Sequence, residues 1–191
     1  MSRSGGPPSM VARVNALLVA PGADRAELGL GYGTAVIGAL TVTVLGLVSG
    51  GTPLQVVVLA VVGFDLAGGV VVNATAAAER RFHDVPDWRR RSVLFVAAHV
   101  HPFILAALFP AQSWWAAALL YAGLVLSAVL ITSSTTLRRP VAFACAAVLV
   151  LLASATGPAD PALAWVAPLL VIKLLLSHLL DGAAVRPRSP G

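Results

Sequence analysis

The sequence is poor in charged residues. Only 11% of its 191 residues are charged, against about 25% in an ordinary soluble domain. By contrast, 58% of the residues are hydrophobic and the mean hydropathy is +0.89, which excludes a typical soluble domain and predicts an integral membrane protein. The net charge of +5 does not indicate a nucleic-acid partner, because the arginines flank the apolar runs as they do in membrane proteins.

Cysteine and lysine each occur once. Cys145 lies inside an apolar run and excludes both an intramolecular disulfide and a cysteine metal cluster. Lys173 also lies inside an apolar run, so the other 12 of the 13 basic residues are arginines. This usage of arginine over lysine, together with abundant alanine and valine, indicates a bacterial source with a GC-rich genome.

The apolar residues are gathered into six runs. Crossing a bilayer takes about 20 largely apolar residues in a helix. The sequence therefore predicts an all-α, polytopic membrane bundle with six transmembrane helices, at 30–48, 54–77, 92–109, 114–132, 141–156 and 162–180.

These runs define one membrane domain, residues 30–181, between two terminal segments. Segment 1–29 is predicted to be cytoplasmic, with a short interfacial helix; its apolar part is too short for a cleavable signal peptide. Segment 182–191 is rich in proline and arginine and is predicted to be a disordered cytoplasmic tail.

The connectors alternate strictly in charge. Connector 79–91 carries five arginines and 137–140 carries two, and the remaining arginines lie near the two ends of the chain. The other three connectors contain no arginine or lysine: 49–53, 110–113 and 156–161. Because positively charged connectors stay in the cytoplasm, both termini are predicted to be cytoplasmic and the protein to lie in the cell membrane.

Four ionisable residues are predicted to share one level near the bilayer midplane. At 1.5 Å of rise per residue, Asp65 and Lys173 lie roughly 16 Å deep, and His99 and His101 about 10 and 14 Å deep. A charge there costs at least ~2.5–3.5 kcal/mol, so such groups pair inside the bundle. We expect Asp65 to contact Lys173 or a histidine, with Asn73 as a polar neighbour.

Helical phase adds two expectations about this buried polar cluster. Gly69 lies within ~40° of Asp65, on a face of small residues that would allow close approach of another helix. His99 and His101 lie about 200° apart on a regular helix and could not face one site. Pro102 cannot donate to the carbonyl of Ala98 and is expected to distort that turn.

Three functions are compatible with these residues. The first is transport or proton relay, with Asp65 as the charged acceptor, Lys173 as its counter-ion and histidines as the titrating groups. The second is a structural or accessory protein, in which the cluster fixes helix packing. The third is an intramembrane metal-dependent hydrolase using Asp65, His99, His101 and His178, but the sequence has no HExxH motif and places a lysine near the metal.

No cofactor, metal or nucleophile motif is predicted, which favours a protein that is not an enzyme. The predicted partner is the lipid bilayer. Six helices are few for a secondary transporter, so a homo-oligomer is compatible with the sequence. The substrate is not indicated by any residue pattern.

Overall fold

The computed structural model describes Met10 and residues 22–82, 86–158 and 160–180, and all regular structure within these residues is helical. These residues contain eight α-helices of known bounds, one 3₁₀ turn and one π-helix. In chain order they are α1 (Arg25–Val48), α2 (Pro53–Asn73), α3 (Ala76–Phe82), α4 (Trp88–Ala97), α5 (His101–Leu108), α6 (Trp114–Ser133), α7 (Arg138–Thr156), a 3₁₀ turn (Pro161–Leu163), α8 (Val166–Val171) and a π-helix (Ile172–His178).

In the described part of the chain, six helical segments are long and apolar enough to cross a membrane, which confirms the predicted all-helical class and the number of candidate spans. Four spans are the single helices α1, α2, α6 and α7. The third span is Trp88–Leu108 and the sixth is Pro161–His178. Of the predicted terminal segments, only Met10 and residues 22–29 are described; 182–191 lies outside the described residues.

Polar caps set the helix ends that hydropathy alone misplaces. Asp24 and Glu27 form a reciprocal capping box, so α1 begins at Arg25, upstream of the predicted start at residue 30. Thr75 divides the predicted helix 54–77. Its hydroxyl donates to the carbonyl of Val72 at the end of α2 and accepts from the amide of Ala78 at the start of α3.

Helices α1 and α2 approach each other through small residues. A Cβ atom added to Gly38 would lie 3.0 Å from the carbonyl oxygen of Gly63 and would also overlap Ala67. One added to Gly68 would lie 2.7 Å from Cβ of Ala35. The two backbones are therefore closer than any larger side chain would allow, as the small-residue pattern predicts.

The third span, predicted as one helix with a distortion at Pro102, is divided into two helices. Helix α4 ends at Ala97 and α5 begins at His101. Pro102 occupies the first turn of α5, where its missing N–H costs nothing. The carbonyl of Ala97, which the amide of His101 would contact in a continuous α-helix, accepts a bond from the hydroxyl of Tyr121 in α6 at 2.8 Å. The break thus has both a local cause and a tertiary partner.

The sixth span is the most enclosed element. Half of it is buried, against a third or less of every other span, and Leu170, Leu174 and Leu175 are fully buried. Asp160 caps the 3₁₀ turn by accepting from the amide of Ala162 at 2.8 Å. Beyond α8 the chain widens into the π-helix, a departure from α-helical phase that the sequence does not predict.

Candidate functional site

The site is built on one face of α2. Asp65, Gly69 and Asn73 follow each other at intervals of four residues, so they lie one above another on neighbouring turns. All three meet Lys173, the second residue of the π-helix. The second and sixth spans are therefore joined along two turns by a single lysine.

Lys173 makes a different contact with each residue of that face. Its Nζ donates to Oδ2 of Asp65 at 2.6 Å. Its side chain crosses Gly69 so closely that a Cβ atom there would lie 2.9 Å from Nζ. Its backbone carbonyl accepts a long hydrogen bond of 3.4 Å from Nδ2 of Asn73. The ammonium, the alkyl chain and the backbone of Lys173 are all positioned by α2.

His101 is the second basic group at the carboxylate. Its Nε2 lies 3.4 Å from Oδ2 of Asp65, the same oxygen that Lys173 contacts and a distance suited to an ion pair rather than a short hydrogen bond. The other ring nitrogen, Nδ1, is buried and has no hydrogen-bond partner among the described residues. One carboxylate oxygen thus faces an ammonium and an imidazole together.

His99 lies beside this pair without contacting Asp65. Its Nδ1 donates to the carbonyl of Phe95 at 2.7 Å; because a carbonyl only accepts, the proton of a neutral His99 sits on Nδ1 and its Nε2 is the acceptor. The rings of His99 and His101 are 5.4 Å apart. The break between α4 and α5 brings together two rings that a regular helix would separate.

His178 extends the cluster through an aromatic contact. The ring of Phe95 lies 4.6 Å from that of His99 and 4.1 Å from that of His178, measured between centroids. His178 is 1% exposed. Phe95 is a member of this layer that sequence reasoning missed, because an apolar residue in an apolar run gives no signal.

The metal-dependent hydrolase gains no support from this geometry. Within the described ranges, no three His, Cys, Asp or Glu side chains are grouped closely enough to hold a metal ion. Lys173 contacts the carboxylate that would serve as a ligand, and Nδ1 of His99 is engaged by a backbone carbonyl. A cation at this place would have to compete with an ammonium already present.

The ion pair is asymmetric in its exposure. In the isolated chain the side chain of Lys173 is 4% exposed, whereas that of Asp65 is 45% exposed. The cation is enclosed by protein and the carboxylate has an open side. Such a carboxylate can exchange a proton or a cation on its open side while its other side remains paired with the ammonium of Lys173.

Two of the three contributing spans lose regular α-helical structure at this level. The third span is interrupted at His99 and Val100, and the sixth becomes a π-helix at Ile172. Broken helices line sites in transporters, and π-helical insertions occur often at functional sites. No protein-family model, no curated protein and no solved structure matches this chain.

Proposed function

We propose that the chain is a six-span membrane protein of the cell membrane, with both termini in the cytoplasm. The guanidinium of Arg138 lies 4.4 Å from the ring centroid of Trp88, so the two arginine-rich connectors share one end of the bundle. At the other end, the arginine-free connectors meet around a cavity of about 100 Å³, lined by Gly50, Pro110 and Asp160 among others. The positive-inside rule assigns the arginine-rich end to the cytoplasm.

We further propose that this protein transports a small ion or relays protons across the membrane. The observation that carries the proposal is the half-exposed Asp65 carboxylate, contacted by both Lys173 and His101 where the third and sixth spans are irregular. Ionisable groups inside a membrane bundle are costly and commonly mark ion or substrate pathways.

Each residue has a distinct role in this proposal. Asp65 accepts the proton or cation on its open side. Lys173 is the counter-ion that keeps the empty carboxylate neutralised. His101 exchanges protons with Asp65, and His99, with its ring 5.4 Å from that of His101, is the next titrating group towards the cytoplasmic half. When a proton or cation binds Asp65, the attraction between Asp65 and Lys173 weakens, because the negative charge of the carboxylate is then neutralised.

The experiment is proton flux into liposomes containing the purified protein, followed with an enclosed pH-sensitive dye. Asp65→Asn is expected to reduce the flux to that of protein-free liposomes. The matched control is Asp160→Asn, since Asp160 lies in a connector and an asparagine oxygen can still accept from Ala162. Unchanged flux in folded Asp65→Asn protein would rule out Asp65 as the relay group.

A structural or accessory role is the second candidate, and one contact favours it. The bond from Asn73 to the backbone of Lys173 ties two spans together without involving a titratable group. If packing is the whole role of the cluster, Asp65→Asn and Asn73→Ala should both lower the unfolding free energy, and wild-type liposomes should show no flux above the protein-free level.

A further inference from the structure

On the open side of the ion pair, the exposed charged group is the Asp65 carboxylate. Asp65 is the half-exposed member, while the side chains of His101 and Lys173 are 19% and 4% exposed and lie behind it. A ligand that reaches this level from outside the bundle therefore meets the carboxylate first. An anion would be repelled there, because the basic groups that could attract it are covered.

The surface beside Asp65 is apolar. Three residues on the same side of α2, towards the arginine-free end, are widely exposed: Val61 at 64%, Leu54 at 61% and Val57 at 59%. They are separated from Asp65 by one to three helical turns. In a membrane these residues face lipid, which a hydrated inorganic ion does not enter, whereas an organic cation with an apolar body can reach Asp65 through it.

We propose that the substrate at Asp65 is a monovalent organic cation with an apolar body, which enters sideways from the lipid along the Val57–Val61 side of α2. This inference rests on the proposed transport function and names its substrate class. The charge of the substrate contacts the open side of the Asp65 carboxylate while Lys173 stays on the enclosed side, and its apolar body lies against the exposed valines. A single carboxylate that already faces an ammonium leaves no partner for a second charge on the substrate.

In this proposal the ammonium of Lys173 competes with the substrate cation for the negative charge of Asp65. Asp65 is the single side-chain acceptor that its ammonium contacts in the described part of the chain. Because Lys173 is enclosed by protein and stays beside Asp65, its positive charge repels a cation bound to the same carboxylate. Removing the lysine charge should therefore strengthen cation binding, which is the reverse of what a lysine that binds the ligand would do.

The test is calorimetric titration of the full chain in neutral detergent micelles with two probes of similar size and opposite charge. Tetraphenylphosphonium is expected to bind saturably at one per chain, and tetraphenylborate is expected not to bind. Asp65→Asn should weaken tetraphenylphosphonium binding by at least about tenfold, as expected for loss of a charged contact. Lys173→Gln should bind as tightly as wild type or more tightly, and Asp160→Asn should match wild type.

Several results would overturn the inference. Equal binding of both probes to the wild-type protein would show that the site recognises apolar groups and not charge. This comparison uses the wild-type protein alone, so it does not depend on whether a variant folds. Loss of binding in Lys173→Gln would make the ammonium part of the site. If Asp65→Asn turns a dimer into a monomer, as judged by mass in micelles, a second copy covers the open side instead.

Failure of this inference is distinguishable from failure of the proposed function. Proton flux that depends on Asp65, without tetraphenylphosphonium binding, would refute the organic cation and retain the relay. Binding of the probe without any flux of proton or probe would retain the site and refute transport.

Discussion

Replacing Gly69 with alanine should disturb the Asp65–Lys173 pair without altering either charged residue. The added Cβ would lie 2.9 Å from both Nζ and Cδ of Lys173 and closer still to Cε. Favourable contacts between such atoms lie at about 3.5–4.0 Å, so the lysine must move. Lys173 is only 3% exposed, and it cannot swing into open space to do so.

Two opposing effects determine how much Gly69→Ala changes the unfolding free energy. Alanine is about 1 kcal/mol better than glycine inside a helix. Overpacking a buried position costs typically ~1–3 kcal/mol, and breaking a buried ion pair altogether costs ~3–5 kcal/mol. Because the obstructing atoms are the flexible end of Lys173, we expect the pair to be stretched rather than broken, with a net loss of up to about 2 kcal/mol.

The unfolding free energy measured by denaturant titration in mixed micelles tests this expectation. Gly33→Ala is the matched control, because Gly33 lies inside α1 with nothing within 4 Å of the added Cβ; it should be stabilised by up to about 1 kcal/mol. In a Lys173→Ala background, Gly69→Ala should no longer destabilise. If Gly69→Ala is as stable as Gly33→Ala in the wild-type background, Lys173 does not cross Gly69 and the site geometry is wrong.

The same unfolding measurement checks three further substitutions. Gly38→Ala should cost about 1–3 kcal/mol, because its Cβ meets Cβ of Ala67 and the carbonyl oxygen of Gly63, and neither can move without the backbone of α2. A gain would mean that α1 and α2 are further apart. Tyr121→Phe should cost about 1–3 kcal/mol by leaving the Ala97 carbonyl unsatisfied, and no loss would show that another donor reaches it. Gln55→Leu removes both the 2.7 Å bond to the Leu108 carbonyl and the bond that Gln55 accepts from the Thr52 amide in the capping box of α2. It should cost at least a similar amount, and an unchanged protein would show that neither bond adds stability.

The number and order of the spans could be predicted from the sequence because both follow from local properties. Hydropathy locates each apolar run, and a single cap such as Asp24 or Thr52 fixes the start of a helix. The interruption at Thr75 was missed because a threonine in an apolar run is compatible with a continuous helix. Its hydroxyl contacts to Val72 and Ala78 decide the outcome, and these depend on how the chain turns.

For the candidate site too, one part could be predicted from the sequence and another part could not. Counting residues along the helices assigned Asp65 and Lys173 to one level, and in the structure their charged atoms lie 2.6 Å apart. The orientation of the histidines could not be obtained by counting, because regular phase separates His99 from His101. Pro102 signals a distortion, but the hydroxyl from Tyr121 that completes the break comes from another span. The π-helix has no sequence signal, since packing decides where an extra residue enters a turn.

The placement of these irregularities bears on whether the cluster only serves packing. A continuous α-helix satisfies every backbone group inside a span and is the cheapest structure in lipid. The third span departs from it at His99 and Val100, directly before His101, and the sixth span departs from it beginning at the residue before Lys173. If a polar contact were needed only to hold helices together, a side chain on a regular helix could make it, as Gln55 does with Leu108. The two irregular spans bring two imidazoles and an ammonium close to one half-exposed carboxylate. The proposed exchange of a proton or cation rests on this arrangement.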